Sequence, residues 1–352
     1  METPASKKRA NAEPIVLNNK KQRVVLGDLP NLPNLNVSPK PQTQKKLRPK
    51  KSDAVRLVYG FNFDKPDFSK INAKSDYEEI FESYASDISN YLRTMEVQKK
   101  RRPMIGYIEK VQRGVTANMR GILVDWLVEV AEEYKLLPQT LHLAVSYIDR
   151  FLSNESVNRS KLQLLGVSSM LIASKYEEIS PPKAVDFCQI TDNTYELKQV
   201  IKMEADILKS LNFEMGNPHV NTFLKEYIGP ATEDLKTSKL QMEFLCNYLA
   251  ELSLIDYECI RFLPSMVAAS VIFLARFIIC PGVHPLTSSL SECLFYKSAE
   301  LEECVLILHD LYLVRRAASL KAVREKYKQH KFKNVANLPS SPEIPNHYFV
   351  EE

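Results

Sequence analysis

The sequence predicts an all-α protein, built as two consecutive five-helix units preceded by an N-terminal helix and a disordered basic tail. Three observations predict it. Runs of alternating β-branched residues are nearly absent, while apolar residues recur at spacings of three and four across residues 75–330. Prolines punctuate those runs, at Pro103, Pro138, Pro181-Pro182 and Pro218. Residues 1–74, in contrast, hold eight prolines among Lys, Asn and Gln. Such a segment cannot bury enough surface to offset its ordering entropy.

The elements follow in order. Over residues 77–95 a helical pattern sets Ile80, Tyr84, Ile88, Tyr91 and Leu92 on one face, and Lys99-Lys100-Arg101-Arg102 ends it before Pro103. The next helix, 117–134, has Thr116 as its N-cap. It holds the only tryptophan and is apolar around most of its circumference, through Met119, Ile122, Leu123, Trp126, Leu127 and Val130. A narrow charged stripe remains (Asp125, Glu129, Glu132, Glu133). Such a helix is either wrapped by neighbours or keeps part of its face for a partner.

Pro138 suits the first turn of a second helix, whose core face is Leu141, Ala144, Val145, Ile148 and Leu152. A third, 160–178, carries Gly166, Ser168, Ser169, Ala173 and Ser174, a density of small residues that implies close approach by neighbours. Pro181-Pro182 stops it. Helices over 184–189 and 195–210 complete the first unit, and Pro218 marks the second start. Five segments follow: 220–227, 235–254, 263–279, 299–318 and 320–327. The expected divisions are a tail (1–74), a first unit with its preceding helix (75–216), a second unit (217–330) and a C-terminal tail (331–352).

Composition excludes several classes. Residues 1–52 carry twelve Lys/Arg and three Asp/Glu, net +9, whereas the remaining 300 carry 35 and 40, net −5. The basic charge belongs to the tail, which argues against a nucleic-acid groove in the body. Six cysteines lie at least ten residues apart with no Cys-x-x-Cys, and no His-x-x-x-His occurs, so buried thiols in a reducing compartment are expected and no metal site. The N-terminus has no apolar core of a signal peptide. Residues 262–280 approach a membrane span in length, but Pro264 and Arg276 interrupt them and a buried helix is the better reading, with no membrane partner.

Enzyme chemistry has no candidate. There is no Gly-rich phosphate loop, no His-Glu-x-x-His and no Gly-x-Ser-x-Gly, and acidic pairs such as Glu132-Glu133 and Glu177-Glu178 read as solvated helix faces. No catalytic residue and no cofactor are expected.

Met119-Arg-Gly-Ile-Leu-Val-Asp-Trp-Leu-Val-Glu-Val130 is similar to the signature of the cyclin box. Leu141-His-Leu-Ala-Val-Ser-Tyr-Ile-Asp-Arg-Phe-Leu-Ser153, Lys161-Leu-Gln-Leu164 and Ala173-Ser-Lys-Tyr-Glu-Glu178 agree with it in order and spacing. The likeness covers residues 77–330. Glu132-Glu-Tyr-Lys-Leu136 and Tyr147-Ile-Asp-Arg-Phe-Leu-Ser153 resemble A-type cyclins, and the short tail is like that of a plant member.

The resemblance implies two cyclin-box domains and a regulatory, non-catalytic subunit that activates a cyclin-dependent Ser/Thr kinase from S phase to mitosis. It implies a buried ion pair between Arg120 and Asp149, a kinase-binding set of Lys175, Glu204, Phe213 and Glu178, and a substrate-docking patch. That patch comprises Met119, Ile122, Leu123, Trp126, Glu129, Leu162 and Gln163, and would take Arg-x-Leu peptides on an apolar floor beside a carboxylate. Taken without the resemblance, Lys175 is a cation near a helix C-terminus and Phe213 ordinary core. Gly121 stands where animal members carry alanine, at up to about 1 kcal/mol of helix propensity. A two-fold helical repeat also occurs in transcription factors of the TFIIB type, but those bring a zinc ribbon and a basic body, and this body is acidic.

In the tail, Arg23-Val-Val-Leu-Gly-Asp-Leu-Pro-Asn31 fits the destruction-box pattern through Arg23, Leu26, Leu29 and Asn31, which implies recognition by the anaphase-promoting ubiquitin ligase. Lys7, Lys8 and Arg9, then Lys20, Lys21 and Arg23, have the spacing of a bipartite nuclear import signal, so a nuclear location is expected. Ser38-Pro39 is a minimal proline-directed phosphosite.

Overall fold

Most helices begin where the sequence supplies a cap or a proline. The computed structural model describes residues 73–235 and 238–350, and among them forms thirteen α-helices and no strand. They are α1 (Ala73–Glu96), α2 (Tyr107–Lys110), α3 (Ala117–Glu133), α4 (Pro138–Asn154), α5 (Leu162–Glu177), α6 (Ala184–Ile190) and α7 (Leu197–Ser210). The second unit comprises α8 (Val220–Thr232), α9 (Lys239–Ile255), α10 (Pro264–Ile279), α11 (Ser288–Leu294), α12 (Ser298–Tyr312) and α13 (Ala322–Tyr327). The Thr116 hydroxyl accepts the Met119 N–H and starts α3, while Pro138 and Pro264 open α4 and α10.

Each unit wraps one central helix. In the first it is α5, buried from Leu162 to Ser174 and packed between α4, α7 and α3. Its small residues allow the approach: a Cβ at Gly166 would lie 2.8 Å from Leu123 Cδ1. In the second it is α10, against α8, α9 and α12. Arg276, the charge that interrupts the apolar run, is buried there and paired with Asp234 at 2.6 and 2.7 Å. No helix of the described residues is long and apolar enough to cross a membrane. Four cysteines are buried, Cys280 is half-buried and Cys293 exposed.

Four expectations differ from what forms. Helix α8 continues past Tyr227 through Pro230, because Ile228 and Ala231 extend its buried face. The seven-residue α11, capped by Thr287 and held by Leu290 and Leu294, is too short to register as a period. Residues 331–350 are not a free tail. Val335, Ala336, Ile344, Tyr348 and Phe349 are buried, and the Phe349 ring stacks on Phe273 at 5.3 Å.

The fourth is α12, which ends at Tyr312 rather than at 318. The apolar side of α1 does not anchor that helix. Tyr84, Ile88 and Tyr91 are exposed and Leu92 is half-buried. The helix is anchored instead by its polar end. Arg93 donates to the Tyr227 hydroxyl (2.7 Å) and the Leu294 carbonyl (2.8 Å), with its guanidinium 4.3 Å from the Phe295 ring centre. Glu96 accepts from Ser265 N and Oγ at 2.9 and 2.6 Å. The helix that precedes the first unit in sequence is thus fastened to the second.

Between the units, His142 of α4 and His219 at the head of α8 stack with ring centres 5.4 Å apart. Both are buried, with both His142 nitrogens and His219 Nδ1 unpartnered. Burial pushes both imidazoles down, His219 to about 3. They are neutral in the fold and protonate in the unfolded chain below about pH 6.5, so their contribution is complete above that value and is lost as pH falls toward their folded values. Each then removes about 1.4 kcal/mol per pH unit. Urea unfolding at pH 7.5 and 5.5 should therefore differ by about 2.7 kcal/mol more in the wild type than in a His142→Leu/His219→Leu variant. Equal pH dependence in the two would refute it.

Candidate functional site

Two surfaces gather the residues singled out by the sequence. The first lies where the end of α5 meets α7. Lys175 Nζ and Glu204 Oε1 are 2.5 Å apart, with the lysine half-exposed and the glutamate more enclosed. An exposed pair of this kind contributes at most about 1 kcal/mol to the fold. Beyond the end of α7, Phe213 is 67% exposed, so it is not ordinary core. The backbone presents it: Asn212 and Phe213 both take the left-handed conformation (φ 50° and 57°) after α7 ends. A bulky residue held there costs roughly 1–3 kcal/mol, and such strain clusters at binding sites.

Tyr176 is also exposed, and with Tyr91, Leu92, Met95 and Phe213 it lines a cleft of about 560 Å³. Exposed Ile179 follows at the end of α5. Neither Tyr176 nor Tyr91 was singled out as a contact residue. The aromatic next to Lys175 was the available signal, but exposure is set by packing the letters do not display. Glu178 has a local task. Its Oε1 accepts from Leu137 N (2.7 Å) and Thr140 Oγ1 (2.6 Å), closing the N-terminus of α4.

The second surface is the outer side of α3, and it is narrower than expected. Met119, Ile122 and Trp126 are half-buried and Glu129 is exposed. Leu123, Leu162 and Gln163 are buried beneath them, Leu123 because Gly166 lets α5 close onto it. These three support the patch rather than line it.

The acidic stripe is mostly engaged. Asp125 accepts from the Lys321 and Ala322 N–H groups (3.2 and 2.9 Å), capping α13, and burial raises its carboxyl to about 6. Glu132 meets Lys331 at 2.8 Å and Lys326 at 3.4 Å. Glu129 and Glu133 are the stripe carboxylates that face solvent, and Glu129 is the one within the expected docking patch. Gly121 has a packing reason: a Cβ there would come within 3.0 Å of Leu320 Cδ1 and 3.3 Å of the Ile255 carbonyl.

Behind this patch Arg120 and Asp149 form a buried bidentate pair, Nε to Oδ1 at 2.9 Å and Nη2 to Oδ2 at 2.7 Å. The Tyr107 hydroxyl also donates to Asp149 (2.8 Å), and Arg120 Nη1 donates to the Leu254 carbonyl of α9. Burial works against the guanidinium's charge, but the carboxylate beside it more than offsets this and holds Arg120 above its ordinary value. The destruction-box residues, the import-signal residues and Ser38 lie outside the described residues.

Known proteins resemble this chain in sequence and fold. Residues 87–216 match the family model of the cyclin N-terminal domain, and residues 218–341 that of the cyclin C-terminal domain. Cyclin-A3-2 of Arabidopsis thaliana is 54% identical over 332 residues, 92% of this chain and 89% of the relative. Cyclin-A3-1 of Oryza sativa subsp. japonica is 51% identical over 353 residues, covering 99% and 95%. The G2/mitotic-specific cyclin C13-1 of Daucus carota is 53% identical over 340 residues, covering 94% and 96%. A crystal structure of a viral cyclin from herpesvirus saimiri shares the fold, with TM-score 0.55 and 21% identity over 63% of this chain and 95% of that one.

Proposed function

The chain belongs to the cyclin family, regulatory rather than catalytic proteins with A3-type plant relatives, and from that premise we propose that it binds and activates a cyclin-dependent Ser/Thr kinase. The observation that carries this reading is the cleft lined by exposed Phe213 and by exposed Tyr176, the residue that follows Lys175 of the half-exposed Lys175–Glu204 pair. In this mechanism the end of α5 and the face of α7 hold the kinase's regulatory helix inward, so that the kinase's own Lys–Glu ion pair can form. Binding free energy shifts the kinase toward its active state, while ATP, magnesium and catalysis belong to the kinase. Histone phosphorylation by a candidate kinase, measured with and without this chain, tests the reading. It fails if activity does not rise.

The α3 patch then serves substrates or inhibitors carrying Arg-x-Leu. Met119, Ile122 and Trp126 would receive the leucine, and Glu129 the arginine. Docking raises the local substrate concentration. Replacing Met119 and Trp126 by alanine should leave kinase binding intact and lower kcat/KM for Arg-x-Leu substrates about tenfold or more, as expected for loss of an apolar anchor. Equal losses on substrates without the motif would identify the patch as core. The tail would supply nuclear import and timed destruction between S phase and mitosis. Leu26→Ala should lengthen the protein's half-life in mitotic extract, and an unchanged half-life would count against the destruction box.

A further inference from the structure

The C-terminal strap carries a further Ser-Pro pair. Ser341 and Pro342 both face solvent, between half-buried Leu338 and buried Ile344. Among the described residues this stretch is fastened by side chains from the end of α12 rather than by backbone bonds. The Tyr312 hydroxyl donates to the Leu338 carbonyl (2.5 Å), His309 Nε2 to the Ser341 carbonyl (3.1 Å), and Arg315 Nη2 to the Pro342 carbonyl (2.6 Å). Ser340 is turned inward, its hydroxyl 3.2 Å from His309, whereas Ser341 is exposed. A segment held by three side-chain clips opens locally at small free-energy cost, which a kinase needs in order to thread it.

We propose that Ser341 is a phosphoryl-acceptor site for a proline-directed Ser/Thr kinase, and that Arg315 receives the phosphate and tightens the strap on α12. This rests on the kinase reading above, since the bound kinase is the nearest candidate for the reaction. In the step, Ser341 Oγ attacks the γ-phosphorus of MgATP, the bond to ADP breaks, and the hydroxyl proton leaves to the kinase's base. Residue 341 gains a charge of about −1.5 to −2. Arg315 is poised to meet it. Its guanidinium already sits on the next residue's carbonyl, and its present partner Asp310 is an exposed carboxylate at 3.2 Å. A phosphate dianion outcompetes such a pair. Glu343 and Asp310 are the like charges nearby, and without Arg315 they would drive the strap away.

The test uses the full chain with its kinase subunit and MgATP, histone phosphorylation in parallel, and mapping by mass spectrometry. Phosphate is expected on Ser341, absent from Ser341→Ala and reduced at least tenfold in Pro342→Ala. Phosphorylated histone with unmodified Ser341 would overturn the site while leaving kinase activation standing. If histone is not phosphorylated, activation fails instead, and a proline-directed kinase that needs no cyclin tests the site; its failure to modify Ser341 overturns it. Limited proteolysis within residues 338–344 should slow several-fold on phosphorylation, and speed up in Arg315→Ala. Faster cleavage of the phosphorylated wild type refutes the clamp.

Discussion

Lys175→Ala combined with Glu204→Ala is expected to weaken kinase association at least a hundredfold while leaving circular dichroism unchanged. Truncating a hot-spot residue costs about 2 kcal/mol or more, and about 1.4 kcal/mol is a factor of ten in affinity. The same pair contributes at most about 1 kcal/mol to the fold, because Lys175 is half in water. The two effects separate cleanly in one variant. Loss of helicity would instead make the pair structural, and unchanged kinase pull-down would remove α7 from the interface. Phe213→Ala should act in the same direction with no loss of fold, since its ring is 67% exposed.

Asp149→Ala is expected to destabilise the protein by about 3–5 kcal/mol, a large share of the roughly 5–15 kcal/mol that holds a typical domain. It strands Arg120 at 1% exposure and leaves the Tyr107 hydroxyl without its acceptor. Arg120→Ala should cost a comparable amount and also frees the Leu254 carbonyl. Urea midpoints measure both. Replacing the two together, Arg120→Met with Asp149→Leu, should cost less than either single change, because no unpaired charge then remains buried. A double variant as unstable as the sum of the singles would contradict that account.

Much of this fold was legible in the letters. Pro138 and Thr116 mark helix starts that form there, and the small residues of α5 meet close neighbours, as their density implies. The pairing of Arg120 with Asp149 was implied by the likeness to the cyclin box, and the two side chains do meet. What escaped was set by tertiary geometry. The periodicity of α1 groups Tyr84, Ile88 and Tyr91 correctly, but only the Arg93 and Glu96 anchors decide that this face stays outward. Leu123 belongs by period to the patch around Trp126, yet Gly166 opens a place for it in the core. The apolar residues of 331–350 are too scattered for any period, so their burial could not be read.

The anchoring of α1 also orders events during synthesis. Arg93 is bonded to a carbonyl 201 residues further along, and Glu96 to a hydroxyl 169 residues away. A ribosome adding about 5–20 residues per second makes that carbonyl some 10–40 s after the arginine has emerged. Helix α1 is among the first pieces of the body to leave the tunnel and among the last able to dock. Until α11 appears, Arg93 lacks the carbonyl that fastens it, and α1 trails from the first unit without that anchor.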